Sequence, residues 1–325
     1  MKLDEKSLRI GAIALLGAVA LRLALPALTG TQDIVGSTLL FFETGRWITP
    51  AQQSLPAAAT GSANMPQEEI ALPVFSPEEV KQVSVKNTVG YQVDTQKLLV
   101  QPLKWNLKTE KPSVLIVHSH ATESYKNTEG YKALPNYRTL DDKYNMLSIG
   151  DALAQALEDK GIHVLHDRAT HDYPSYNNAY GNSRKSIEQY LQEYPSISLV
   201  LDLHRDAYED SKGNQIGYTV NYGGSKAAKL MLVVGTFDRN SQSPQWHENM
   251  SLAAKLQVQL QRQCPGIVRP INIRSYHFNQ DLSPKTLLVE VGAAGNTRQE
   301  ALNAVQALAQ SIIALAMGSE SGNMA

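Results

Sequence analysis

Apolar positions along the second half of the chain follow two different spacings. Short continuous apolar runs, such as 113–117 and 198–203, are typical of strands buried on both faces of a sheet. Between them, apolar residues recur every three or four positions, as on the buried face of a helix. This alternation predicts an α/β fold with a parallel or mixed central sheet and helices on both faces. The strands are predicted at 113–117, 162–166, 198–203, 216–222, 229–235 and 287–291, and the helices around 146–157, 187–194, 245–263 and 297–317.

The N-terminal region has a different pattern. Basic residues precede an apolar stretch from about residue 7 to residue 30, which is interrupted by Arg22. This length is close to the roughly 20 residues that a membrane-spanning helix needs, and the preceding basic residues predict a cytoplasmic N-terminus. We expect an uncleaved signal-anchor at residues 1–30. A cleaved signal peptide is the first alternative, although 26–30 is a poor cleavage site. A buried helix of a soluble domain is the second.

The segment after the expected anchor indicates a tether. Residues 49–66 are rich in Ala, Pro, Ser and Gln and contain few large apolar side chains, a composition typical of disordered linkers. We therefore expect a juxtamembrane segment and linker at 31–80 and one folded domain at 81–325. With a cytoplasmic N-terminus, this predicts a single-pass protein of the cell membrane whose domain is extracytoplasmic.

The composition excludes some functions and some kinds of site, but it does not identify a function. The 325 residues carry 30 Lys and Arg against 31 Asp and Glu, a formal net charge of -1. Such a balance gives no basic footprint for nucleic acid, so none is expected as a partner. The single cysteine, Cys264, excludes an internal disulfide framework and a zinc cluster built from thiolates alone.

Polar side chains that can bind a metal or transfer a proton cluster at the ends of the predicted strands. His120 and Glu123 follow the first strand in an H-x-x-E spacing, His204 follows the strand at 198–203, and Glu290 lies in the last strand. Ligands of open α/β sheets bind at the carboxyl ends of the strands. Two histidines and a glutamate with an open fourth position make a catalytic zinc site. Glu290 is then the candidate general base, which takes a proton from the attacking water and passes it to the leaving nitrogen.

Each of these residues also has an ordinary structural interpretation. An H-x-x-E pair arises often by chance, and a histidine after a buried strand is commonly a hydrogen-bonded loop residue. Glu290 could be a structural carboxylate paired with Arg205 or Arg274. His118 could replace His120 as a ligand or orient the site from behind it. The coincidence of three such groups at strand ends favours the metal hypothesis.

Three blocks of the sequence resemble the stage II sporulation protein P family. They are VLIVHSHATESY at 114–125, LDLHRDA at 201–207 and NQDLSPKTLLVEVGAAGNT at 279–297, and the resemblance covers roughly residues 80–317. It implies a zinc-dependent N-acetylmuramoyl-L-alanine amidase acting on peptidoglycan, with some peptide-cleaving activity, and a fold similar to zinc amidases and carboxypeptidases. It also implies a role in forespore engulfment beside a lytic transglycosylase and a membrane scaffold protein.

The resemblance also bears on the ligand set. In the usual wall amidases the first histidine lies in a Gly-His-Gly turn and the ligand glutamate begins a helix downstream. Here the first block is His-Ser-His, and the helix near 145 opens with Tyr144 and Asn145. This departure favours Glu123 as the carboxylate ligand, in the manner of an H-x-x-E carboxypeptidase.

Other residues of the same blocks are expected near the substrate. Arg205 is a candidate catalytic residue that binds a peptide carboxylate or stabilises the oxyanion, or it pairs with Asp202 or Asp206 instead. Tyr125, Asn279 and Gln280 are predicted substrate contacts.

Two alternative functions remain open at this stage. The first is a non-catalytic scaffold that binds the cell wall with an amidase-like fold. The second is a soluble carboxypeptidase-like enzyme with an incidental apolar leader.

Overall fold

The predicted runs of buried residues form one central sheet. The computed structural model describes residues 75–128, 130–236 and 245–318, which belong to one compact unit, Glu69–Ala325. The strands are β1 Val85–Asn87, β2 Val114–Val117, β3 Val164–His166, β4 Leu199–Asp206, β5 Thr219–Tyr222, β6 Ser225–Ala228, β7 Leu230–Gly235, β8 Ile271–Arg274 and β9 Thr286–Ala293. The helices are α1 Pro77–Gln82, α2 Thr95–Val100, α3 Met146–Glu158, α4 Ala179–Glu193, α5 Trp246–Gln263 and α6 Arg298–Met317, and a 3₁₀ turn spans Tyr176–Asn178.

The sheet is mixed, with seven strands in the order β1-β8-β7-β9-β4-β2-β3. The neighbours β9, β4, β2 and β3 run parallel to one another. Strand β7 runs antiparallel to β9 and parallel to β8, and β8 is parallel to β1. The strands β5 and β6 form a separate antiparallel hairpin. The mixed central sheet agrees with the fold class predicted from the sequence.

Helices cover both faces of this sheet, as the pattern predicted. On one face, Val114 and Ile116 of β2 belong to the main core together with residues of α3, α5 and α6. On the other face, Leu115 and Val117 pack with Ile187 of α4. Because side chains alternate along a strand, a residue's position in β4 or β9 decides which face it serves.

Helix α6 is long and apolar enough to cross a membrane by composition, and among the described residues it is the helix that meets this test. It begins with a capping box in which Thr297 and Glu300 each bind the other's backbone amide. More than half of its apolar window, 56%, is buried, and it packs on α3, α5 and β6. These contacts are those of a core helix.

The structure differs from the pattern at short elements, at strand ends and at the start of α4, which begins at Ala179 rather than near 187. Strands β4 and β9 run further than predicted, so His204 and Arg205 lie within β4 rather than after it. The elements β1, β6, β8, α1 and α2 were not predicted, since three to six residues give too little periodicity. Helix α1 begins inside the expected linker. The expected anchor at 1–30 and most of the linker lie outside the described residues.

Candidate metal centre

The turn after β2 brings His120 and Glu123 together. The Glu123 amide donates to the His120 carbonyl at 3.2 Å, and both side chains are buried. His120 Nδ1 lies 3.5 Å from Glu123 Oε1. The H-x-x-E spacing thus places an imidazole and a carboxylate side by side in a turn.

Asp202 of β4 fixes this turn against the sheet. Its two carboxylate oxygens accept hydrogen bonds from the amide and the hydroxyl of Ser119, at 2.8 Å and 2.6 Å. The same carboxylate lies 2.9 Å from His204 Nε2. A carboxylate behind a histidine orients the ring and makes it a better ligand. Asp202 therefore holds the turn that carries His120 and lies beside the ring of His204.

His120, Glu123 and His204 form one buried group. One donor atom from each residue can be chosen so that all lie within 4.8 Å of one another. His204 Nδ1 is 3.6 Å from Glu123 Oε2, and the two imidazole rings meet edge to face with centroids 5.1 Å apart. The predicted ligands thus converge in space.

The charges around Glu123 keep it anionic. Its Oε2 accepts a hydrogen bond from the Arg205 amide at 3.1 Å, and its Oε1 lies 3.8 Å from the Arg205 guanidinium and 3.4 Å from that of Arg138. Burial alone would raise the pKa of this carboxyl, but Arg205 and the contacts with His120 and His204 hold that pKa well below its usual range.

This environment fits a divalent cation. Burial lowers the pKa of His204, yet Asp202 and Glu123 outweigh it and raise that pKa well above its ordinary value. The group therefore attracts positive charge into a buried position, where a metal ion would replace the proton. Two imidazoles and a carboxylate are the donor set of catalytic zinc sites. We conclude that the group can hold a metal ion.

Glu290 faces this group from the neighbouring strand. It pairs in register with His204 across β4 and β9, so both side chains lie on the α4 face of the sheet. Its Oε2 is buried and has no hydrogen-bond partner. Burial raises the pKa of Glu290 to about 8. Among the described contacts it forms no ion pair with Arg205 or Arg274, the structural alternative left open by the sequence.

Sequence comparison places the chain among known proteins. The sequence profile of Stage II sporulation protein P (SpoIIP) matches residues 48–313. The chain belongs to the stage II sporulation protein P family. It is 25% identical over 266 residues to Stage II sporulation protein P of Bacillus subtilis (strain 168). This alignment covers 78% of the chain but 63% of that relative's length.

Solved structures similar to this family member are amidases of low sequence identity. AmiC2, an N-acetylmuramoyl-L-alanine amidase of Nostoc punctiforme, shares 13% identity over 62% of this chain and 95% of its own, with a TM-score of 0.39. The CwlD amidase of Clostridioides difficile, solved with the GerS lipoprotein, shares 14% over 62% and 96%, with a TM-score of 0.40. Ami1 of Mycobacterium abscessus shares 15% over 64% and 99%, also at 0.40. These sequence identities and TM-scores are too low for the activity of those amidases to be assigned to this chain.

His118, the alternative ligand, lies behind the His–Glu–His group and outside it. Its Nδ1 is 3.0 Å from the Leu203 carbonyl and its Nε2 is 2.9 Å from His166 Nε2. Gly150 leaves the space for this pair, because a Cβ there would lie within 2.5 Å of both rings. Both ring nitrogens of His118 are thus engaged by groups outside the His–Glu–His set, and its role as an alternative ligand or as a supporting residue stays a prediction.

Arg205 is directed into the protein. Its guanidinium donates to the carbonyls of Ser124 and Tyr137 at 3.0 Å and 2.9 Å, and the residue is 8% exposed. It pairs with Glu123, not with Asp202 or Asp206 as the sequence allowed. These contacts are those of a residue that positions Glu123, and a direct catalytic role for Arg205 stays a prediction.

The three predicted substrate contacts are internal. Tyr125, Asn279 and Gln280 are each 1% exposed. The Tyr125 hydroxyl donates to the Val291 carbonyl at 2.8 Å, and Gln280 donates to the Val233 carbonyl at 2.9 Å. The prediction of substrate contact is wrong for these residues, because buried side chains held by the backbone cannot reach a ligand.

Two further residues of the site, Arg138 and Tyr176, are not indicated by the sequence. Arg138 contacts Glu123 and forms an ion pair with buried Asp172 at 2.7 Å. Its guanidinium lies 4.4 Å over the ring of Tyr176, which stacks on His120 with centroids 4.5 Å apart. Both residues come from loops without hydrophobic periodicity, so only the three-dimensional arrangement reveals them.

Proposed function

We propose that this family member is a membrane-anchored, zinc-dependent peptidoglycan hydrolase that acts during sporulation. The reaction proposed is cleavage of the amide between N-acetylmuramic acid and L-alanine, with cleavage of stem-peptide cross-links as a possible second activity. Family membership supports the sporulation role. A lytic transglycosylase and a membrane scaffold protein are the proposed partners.

One observation carries this proposal. A buried His–Glu–His group that attracts positive charge lies beside Glu290, a carboxyl with an unpartnered oxygen. A purely structural carboxylate is normally paired when it is buried. The combination of a cation site and an unpaired acid on the same face of the sheet is the arrangement that metal-assisted hydrolysis needs.

The roles of the residues follow from their surroundings. His120, Glu123 and His204 would hold the ion, and Asp202 fixes the ring of His204. A zinc ion in such a set supplies a Lewis acid and lowers the pKa of water. Glu290 Oε2 accepts the proton of the attacking water and returns it to the leaving nitrogen. A carboxyl whose pKa lies near neutrality can do both.

The test uses the full chain and purified peptidoglycan, with mass spectrometry of the soluble products. We expect stem peptides with a free N-terminal alanine, loss of release on chelation, and recovery on addition of zinc. Release of stem peptides that is unaffected by a chelator would overturn the metal mechanism. Cleavage between sugars would overturn the reaction class.

The non-catalytic scaffold is a separate outcome of the same experiment. A chain that binds zinc and peptidoglycan but releases nothing would favour it. Detergent dependence of extraction from membranes tests the anchor independently, and release without detergent would contradict it.

A further inference from the structure

A wall of aromatic rings runs outward from the proposed metal centre. Tyr180, at the start of α4, lies with its ring centroid 5.4 Å from His120 and 6.2 Å from His204. Tyr276 lies 5.7 Å from Tyr180, and Phe278 lies 4.9 Å from Tyr276. We call this group of three rings the aromatic wall: Tyr180, Tyr276 and Phe278. It connects the buried ligands to solvent.

Tyr276 is the solvent-facing member of this wall. It is 44% exposed despite its contacts with Tyr180, Phe278 and His277, whose ring stacks on that of Tyr276 with centroids 4.7 Å apart. Tyr176, on the Glu123 side, is also exposed, but its ring already packs on His120 and under Arg138. An exposed aromatic ring that continues a line of rings from a proposed metal centre is a platform available to a substrate.

The loop that carries the wall is held in place before any ligand arrives. Phe278 packs on Met231, Val233 and Leu288 of the sheet. Asn279 Nδ2 donates to the Tyr180 carbonyl and to Ser183 Oγ at 3.0 Å and 3.1 Å.

The backbone of this loop adopts an unfavourable conformation to present these rings. Phe278 and Asn279 have φ angles of 48° and 57°, in the left-handed region that costs energy for residues other than glycine. Such a conformation persists because the anchors of Asn279 and Gln280 determine it. The position of the Tyr276 ring is therefore preorganised, which lowers the entropy lost on binding.

The charges next to the wall cancel. Arg184 makes a two-point contact with Asp281, at 3.0 Å and 2.8 Å, and His277 Nδ1 lies 3.4 Å from the same carboxylate. A cation committed in this way is poorly placed to bind the carboxylates of a stem peptide. The electron-rich face of an aromatic ring instead suits the weakly positive C–H face of a sugar.

We propose that the aromatic wall is a subsite for an uncharged N-acetylated sugar ring of the glycan strand, with Tyr276 as the stacking residue. The inference rests on the proposed function, because it names the part of that substrate which the wall receives. Stem peptide binding at the same wall is the competing possibility.

The test measures binding by the full chain, without turnover, using a chitin oligosaccharide as the sugar probe and an alanine-isoglutamate peptide as the peptide probe. We expect Tyr276→Ala to weaken sugar binding by about three- to tenfold, the range that aromatic pairs contribute. Tyr276→Phe keeps the ring and should stay within about twofold of wild type. Peptide binding should not change.

Tyr218 provides the matched control, because it is 45% exposed and contacts Tyr208 rather than the aromatic wall. Tyr218→Ala should leave sugar binding unchanged. Unchanged sugar binding in Tyr276→Ala, or a loss confined to the peptide probe, would overturn the subsite. Sugar binding that depends on Tyr276 in a chain without hydrolase activity would instead contradict the proposed function alone.

Discussion

Glu123 and Glu290 are two carboxylates of one site with opposite surroundings. Glu123 lies among two guanidiniums, two imidazoles and a backbone amide, and its pKa is held well below the usual range although burial opposes this. Glu290 has a buried oxygen without a partner, and burial raises its pKa to about 8. The site thus combines a carboxylate that stays anionic with a carboxyl whose protonated form is favoured by burial.

Replacing Glu290 should have the largest effect on activity. Glu290→Gln keeps the size of the side chain but cannot accept a proton, so turnover should fall by about 10²–10⁴-fold. Zinc affinity and unfolding temperature should stay close to wild type, since the Gln amide removes an acid whose ionisation burial opposes. The assay is peptide release from peptidoglycan together with metal content. A variant with undiminished turnover would show that Glu290 is not the base.

Replacing Glu123 should affect the metal and the fold. Outer-shell partners alone contribute about 10–100-fold to metal affinity, so Glu123→Gln should weaken zinc binding by more than about 100-fold. It also leaves Arg205 and Arg138 without their shared carboxylate, which should cost about 3 kcal/mol of unfolding free energy in the metal-free chain. Competition with a chromophoric chelator and urea unfolding measure the two effects.

Glu79 gives a matched carboxylate control for Glu123. It pairs with Arg262 away from the site, and this hydrogen bond lowers the pKa of Glu79 to about 2. The Arg262 and Glu79 side chains are 35% and 19% exposed, so the pair is partly solvated. Glu79→Gln should therefore cost under about 1 kcal/mol and leave zinc binding unchanged. Equal effects of the two substitutions would contradict the distinction drawn for Glu123.

Arg138 tests whether the cationic surroundings of Glu123 matter for metal binding. Arg138→Ala removes a contact with Glu123 and the cover over Tyr176, and should weaken zinc binding by about tenfold. Arg138→Lys restores charge without the planar contacts and should recover part of that loss. Zinc affinity that is identical in all three proteins would show that Arg138 has only a structural role.

Lys255 extends the comparison to a buried base. Its ammonium contacts the Leu98 carbonyl and Ser251 Oγ, and burial lowers its pKa from 10.5 to about 7. Below about pH 7 both folded and unfolded chains hold the proton, so the burial penalty is complete; above it, the folded chain releases the proton and the penalty falls.

Lys255→Met should therefore stabilise the chain most at low pH. We expect a gain of about 2 kcal/mol at pH 6, after the loss of two hydrogen bonds is included, and a smaller gain as the pH rises toward 10. Urea unfolding across this range measures it. A gain that is independent of pH would show that Lys255 titrates normally.

The sequence predicted the long, strongly patterned parts of the fold. Buried runs such as 199–203 in β4 and the capping box at Thr297 located their elements because one period dominates there. Strand β8, Ile271–Arg274, has the alternation of a strand but is too short to stand out. Elements of this length depend on pairing with distant segments, which no local pattern contains.

The carboxylates and imidazoles of the candidate site could be predicted from the sequence. The residues that hold them in place could not. His120, Glu123, His204 and Glu290 stood out because polar groups interrupt or follow buried strands. Arg138 carries no such signal, since its role depends on a bridge to Glu123 across a loop. Asn279 appeared to be a substrate contact because the sequence does not reveal that its side chain is buried against α4.

The most direct test of the metal centre is zinc X-ray absorption on the full chain with one equivalent of zinc. We expect stoichiometric binding and a nearest shell of nitrogen and oxygen that contains two imidazoles. Substoichiometric binding, or a sulfur ligand that indicates Cys264, would contradict the assignment of His120, Glu123 and His204.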